Sequence, residues 1–178
     1  AGLLGFALAT GLLFARFSRP NAQIVYSQHA VIAPYRGMTA FEFRIANERS
    51  NELIEVQCTL TMSRVERDAQ GKPLRKFYPL LLERNHVVFF PLHWVIVHPI
   101  DEKSPLYNET EESLKISDAE FLILLTAIDE TFSQTVHSRS SYKYHEVRWG
   151  AKFADMFHSS DGGGVTIDLR RIHNIDPV

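Results

Sequence analysis

The side chains best equipped for chemistry in this chain are eight histidines, a single cysteine and two neighbouring pairs of acids, Asp101 with Glu102 and Asp129 with Glu130. Histidines 86, 93 and 98 are the densest group, and imidazole is the commonest protein ligand for transition metals. Their spacing fits no standard ligand motif, and on strands His93 and His98 face opposite sides because side chains alternate. No metal site is expected. Paired acids can share general acid and base work, but glycoside hydrolysis needs two of them across a cleft at a set separation. No serine sits in a G-x-S-x-G elbow. Glycines 162 to 164 lack the following Lys and Ser or Thr of a phosphate loop, and they read as a hairpin turn. The residues do not predict an enzyme, and a small hydrolase built on Asp129 and Glu130 has no motif behind it.

Composition narrows the setting. With 178 residues, 45% of them apolar, the chain can bury one sizeable core. Nineteen basic residues against 21 acidic ones give a net charge of −2, without the basic excess that nucleic-acid binding requires. Cys58 stands alone, so neither an internal disulfide nor a thiolate zinc site can form, and a reducing, cytoplasmic setting fits best.

Two kinds of element must carry these residues. Residues 1–17, AGLLGFALATGLLFARF, form an apolar run whose basic residues, Arg16 and Arg19, come at and after its end. As a helix the run would extend about 25 Å, slightly short of a bilayer, and it reads as a severed span. Basic residues after an apolar helix mark the cytoplasmic side, which places the rest of the chain there. A buried core helix is the alternative for this run.

Pro20 ends the helical pattern, and the period then changes to that of strands. Phe41, Phe43 and Ile45 alternate with Glu42 and Arg44. Ile54, Val56, Cys58, Leu60 and Met62 alternate with Glu55, Gln57, Thr59, Thr61 and Ser63, so this strand has one face on a core and one on water. Cys58 is thereby a core residue. Asp68 to Pro73 is a turn, and Phe77 to Leu82, Val87 to Leu92 and Trp94 to Val97 are short apolar runs, with prolines at 79, 91 and 99 marking edges and corners. Thr110 can cap a brief helix reaching Ile116, with acids in its first turn. Phe121 to Ala127 reads as a buried strand, and polar strands follow from Thr135 to Tyr144. The sum is an all-β, immunoglobulin-like β-sandwich over residues 20–178, preceded at residues 1–19 by the C-terminal part of a transmembrane helix.

GLLFARFSRP, SQHAVI, FRIANERSNELIEVQ, VHPIDEKSPLYN, SRSSYKYHEVRWG and IDLRRIHN follow one another in the order and spacing of a known family. The most specific are the I-D-E-x-S-P-L-Y segment, Ile100 to Tyr107, and the R-x-S-Y-x-x-x-E-x-x-W-G segment, Arg139 to Gly150. The chain resembles the cytoplasmic domain of inward-rectifier potassium channels, of the bacterial kind, with the end of the inner pore helix. The resemblance implies a homotetramer in the cell membrane whose cytoplasmic domains surround an aqueous pore. It matches the family's pore-lining acids to Glu55 and Glu146, rings of which would attract potassium and hold magnesium or polyamine blockers. The alternation above independently turns Glu55 away from the core. Phe6, Thr10 and Phe14, four apart, share one helix stripe, and the family's bundle-crossing gate falls on Phe14.

Two departures qualify the expectation. Strong rectifiers carry an acid where this chain has Phe6, so weak rectification is expected. Animal members follow the inner helix with several basic residues that bind phosphoinositide, whereas here Pro20 precedes Asn21, Ala22 and Gln23, leaving Arg16 and Arg19 as a weak anchor for anionic lipid. The chain contains no T-x-G-Y-G filter, so the selective pore module is expected upstream or on a separate chain. A different reading is a membrane-anchored immunoglobulin-like binding module that conducts nothing.

Overall fold

The computed structural model describes residues 23–48, 52–159 and 165–178. The inner-helix positions Phe6, Thr10, Phe14, Arg16 and Arg19 and the glycines at 162 to 164 lie outside the described residues. Among the described residues no helix is long and apolar enough to cross a membrane.

Two sheets face each other. The first is centred on β3 (Met38–Asn47), with β7 (His93–Ile100) along one side and β2 (Ala30–Tyr35) and β1 (Ile24–Tyr26) sharing the other. The short β10 (Val147–Trp149) runs parallel to β2 at its edge. The second sheet is centred on β4 (Leu53–Arg67). Against it lie β8 (Glu120–Asp129) on one side and β5 (Pro73–Leu80) and β6 (His86–Phe89) on the other, and β9 (Gln134–Lys143) pairs with β8. Pro79 and Pro99 fall on the edge strands β5 and β7, the strands of a sheet to which proline is largely confined.

Alternation explains what meets between the sheets. Phe41, Phe43 and Ile45 of β3 and Val56, Cys58, Leu60 and Met62 of β4 are buried in one core cluster with Phe121, Ile123 and Leu125 of β8. Phe41 and Phe121 bridge the two layers as stacked rings with centroids 4.4 Å apart. Burial pushes the Cys58 thiol up to about 12, which leaves it an inert core group. The strand at Phe121 to Ala127 differs from the expectation of a fully buried one: Leu122 and Leu124 turn outward, and Leu124 is 37% exposed. A continuous apolar run carries no period, and here it belongs to an antiparallel sheet with one open face.

The small helix α1 (Glu111–Ile116) forms where the cap predicts it. Ser113 donates its N–H to Thr110 Oγ1 at 3.1 Å, Thr110 donates its own to Ser113 Oγ at 2.8 Å, and Glu111 and Glu112 occupy the first turn.

The first sheet does not end in solvent on its outer side. Beyond β10 the chain lays β11 (Ala151–Phe153), β12 (Phe157–Ser159), β13 (Val165–Ile167), a 3-10 turn (Leu169–His173) and β14 (Ile175–Pro177) against it. Ala151, Phe153 and Ile175 pack on Val31 and Ala33, and Met156 and Ile172 pack on Ala46. This cover changes the environment of Arg44, which alternation puts on the outer face as expected but which is only 8% exposed. Its guanidinium lies over the Phe153 ring, 4.7 Å from the centroid.

Candidate functional site

Glu55 sits at an irregularity in β4 that the sequence pattern does not show. Ile54 pairs with Ile128, but the next pair on β8 is Gln57 with Thr126, so three steps on β4 oppose two on β8. The extra residue is a β-bulge, and Glu55 takes φ 51 within it. For a residue with a Cβ this left-handed conformation costs about 1–2 kcal/mol relative to the ordinary regions. The bulge also corrects the predicted face: Leu53, rather than Ile54, is the fully buried residue at this end of the strand, because the inserted residue shifts the alternation by one.

The result is an exposed carboxylate on the open face of the second sheet. Glu55 Oε2 lies 2.9 Å from His86 Nε2, and the two side chains are 50% and 43% exposed. Cys58 donates its N–H to the carbonyl of Asn85 at 2.8 Å, tying the residue before His86 to β4. Farther along the same face, Thr59 and Thr61 of β4, Leu122 and Leu124 of β8 and Arg139 and Ser141 of β9 line an open hollow of about 690 Å³.

Glu146 lies elsewhere. It closes the 3-10 turn Tyr144–Glu146 that follows β9, and its Oε2 accepts the N–H of Lys143 at 2.8 Å. The register aligns Lys143 with Glu120 and Glu120 with Ser63, eight positions along β4 from Glu55. At about 3.3 Å per residue, Glu55 and Lys143, whose N–H Glu146 accepts, stand roughly 26 Å apart along the strand direction. The chain therefore does not bring the two acids into one site. It places Glu55 toward one end of the second sheet and Glu146 in the turn that leaves its other end.

The other groups with chemical potential are occupied locally. His98 is 3% exposed; its Nδ1 donates to the Leu81 carbonyl at 2.6 Å and its Nε2 accepts the Ser104 hydroxyl at 2.7 Å. Burial is the main cause that lowers its pKa, so the neutral ring assumed by that pairing is the favoured form. Ser104 Oγ also accepts the N–H of Leu106, and Asp101 Oδ1 accepts that of Lys103. The I-D-E-x-S-P-L-Y segment is thus a self-bonded loop locked onto β7. Asp129 is buried and accepts the N–H of Phe132 at 3.3 Å. His93 faces away from His98, as alternation requires, and packs edge-on against Phe157. Among the described residues, no group of three or more His, Cys, Asp or Glu side chains is close enough to hold a metal ion. Motif reading did not reveal the Glu55 to His86 contact because it joins residues 31 apart in sequence across two strands.

The described residues form a two-sheet β-sandwich whose longest strand carries a strained, exposed acid above an open sheet face. Over residues 24–178 the chain matches the model of the inward rectifier potassium channel C-terminal domain, and it belongs to that family. It is 40% identical over 174 residues to the inward rectifier potassium channel Kirbac3.1 of Paramagnetospirillum magnetotacticum, covering 98% of this chain and 59% of that protein. It is 28% identical to the inward rectifier potassium channel irk-1 of Caenorhabditis elegans, covering 99% of this chain and 34% of that one. With the mouse G protein-activated inward rectifier potassium channel 3 the identity is 29%, covering 88% and 42%. The chain therefore spans between about a third and three fifths of the length of these relatives.

Proposed function

We propose that this chain is the cytoplasmic vestibule and gating part of a homotetrameric inward-rectifier channel in the cell membrane, conducting potassium through a central pore completed by an upstream filter module. The observation that carries this reading is Glu55: an exposed acid held in a strained bulge, in a chain of this family. Strain of this kind is kept where the surrounding structure uses it. Four copies about an axis would form a ring of carboxylates that concentrates potassium and holds magnesium or polyamines as blockers. Glu146 supplies a second ring at another depth, with one oxygen already engaged by Lys143. Phe14 is assigned the hydrophobic gate, Phe6 and Thr10 the pore stripe above it, and Arg16 and Arg19 the contact with anionic lipid headgroups.

Potassium flux through the full-length protein in liposomes tests each assignment. Glu55→Gln is expected to weaken block by magnesium and spermine about tenfold, equivalent to about 1.4 kcal/mol of lost attraction, and Glu146→Gln by less. Phe14→Ala is expected to raise leak through the closed channel. Unchanged block in Glu55→Gln rejects the vestibule, and unchanged leak in Phe14→Ala rejects the gate. A full-length protein that passes no potassium at all points instead to a membrane-anchored binding module.

A further inference from the structure

We propose that Glu55 and His86 form a half-site for a borderline transition-metal dication of the zinc, cobalt(II) or nickel(II) class. A metal ion with bonds of about 2.0–2.2 Å to imidazole nitrogen and carboxylate oxygen holds those atoms about 3 Å apart when they are adjacent corners of an octahedron, and about 3.4 Å apart in a tetrahedron. His86 Nε2 and Glu55 Oε2 stand 2.9 Å apart. The ion takes the place of the shared proton: Nε2 presents its lone pair instead of its N–H, and both donors turn toward a common point about 2.1 Å from each. Both side chains are about half exposed, so water can fill the remaining positions.

The backbone fixes both donors before any ion arrives. The left-handed bulge sets the direction of Glu55, while the ladder pair Gln57 with His86 and the bond from Cys58 N–H to Asn85 anchor β6 beside it. An imidazole with a carboxylate favours borderline metals, whereas potassium and magnesium prefer all-oxygen surroundings. The pair is therefore selective against the ions that the same face would attract by charge alone. With two ligands from one chain, the site is open and exchangeable.

The consequence for conduction rests on the vestibule reading of Glu55. A bound dication converts each local charge from −1 to +1, so a ring that attracts cations becomes one that repels them. Zinc is then an inhibitor of flux that also competes with magnesium and spermine.

The test is zinc titration by calorimetry and cobalt(II) binding by visible absorption, both on the full-length protein, with circular dichroism confirming the fold of each variant. One ion per chain is expected. His86→Ala and Glu55→Gln should each weaken binding about tenfold or more, while His137→Ala, on the same sheet face, should leave it unchanged. Binding by His86→Ala equal to that of the parent, or no binding at millimolar zinc, overturns the proposal and leaves the contact a hydrogen bond only. The two readings fail separately. Loss of magnesium block in Glu55→Gln with no zinc binding to the parent rejects the metal site and keeps the vestibule. Zinc binding lost in both variants while Glu55→Gln keeps its magnesium block rejects the vestibule and keeps the metal site.

Discussion

At the residue scale, Glu55 holds a conformation that a glutamate adopts only at a cost. If the bulge is imposed by the sheet, removing the Cβ relieves that cost while removing the carboxylate alone does not. Glu55→Gly and Glu55→Ala delete the same charge and the same contact to His86, and they differ in whether a Cβ must sit at φ 51. Glu55→Gly is expected to be the more stable of the two by about 1 kcal/mol, read as a shift in the urea midpoint. Equal stabilities would show that the bulge relaxes when the glutamate is lost, and that the acid itself holds the strand in that shape. The residue identity at 55 was legible as outward-facing because its neighbours alternate. Its strain was not legible, since an inserted residue in one strand is a property of the pairing with β8.

At the element scale, β4 and β5 are joined on one rim by a charged network. Glu66 accepts from Lys76 at 2.8 Å, from Tyr78 at 2.5 Å and from Arg64 at 2.8 Å, and Arg64 also reaches Glu109 at 2.6 Å. The bonds from Lys76, Tyr78 and Arg64 hold the Glu66 carboxyl down to about 2. A folded-state pKa below the ordinary carboxylate value means stability that is present above that value and lost as pH falls through about 2. Glu66→Gln should therefore lower the urea midpoint at neutral pH, and the gap from the parent should close on acidification toward pH 2. A gap independent of pH would mean that the charge on Glu66 contributes nothing and that its hydrogen bonds alone matter.

The same scale shows why some elements were readable and others were not. Met38 to Ala46 and Leu53 to Ser63 are long enough for period two to show, and Thr110 announces α1 through its cap. The strands after Gly150 are three residues each, too short to display a period. Phe121 to Ala127 misled for the opposite reason. Its outward positions are leucines, so hydrophobicity alone could not tell one buried face from two.

At the scale of the whole molecule, those unreadable short strands make the sandwich a three-layer object. They turn the outer face of the first sheet into a second interior, where Ile172 and Met156 are each 1% exposed and Arg44 is enclosed. A buried guanidinium stacked on Phe153 is expensive to desolvate, and desolvation is the main cause lowering the Arg44 pKa. The layer must therefore be held by its apolar contacts rather than by that charge. Ile172→Ala removes such a contact and is expected to cost about 2–4 kcal/mol, the usual range for emptying a packed aliphatic site. Whether that loss is local or global separates two architectures. If the layer is part of the cooperative core, the variant lowers the urea midpoint for the whole domain, and amide exchange accelerates in β3 and β4 alike. If it is a separately unfolding cover, exchange accelerates in β11 to β14 and on the outer face of β3, while β4 and β8 keep their protection. The first outcome is expected, because β10 pairs with β2 and leads directly into β11, and apolar side chains of the cover pack on β2 and β3 around the enclosed Arg44.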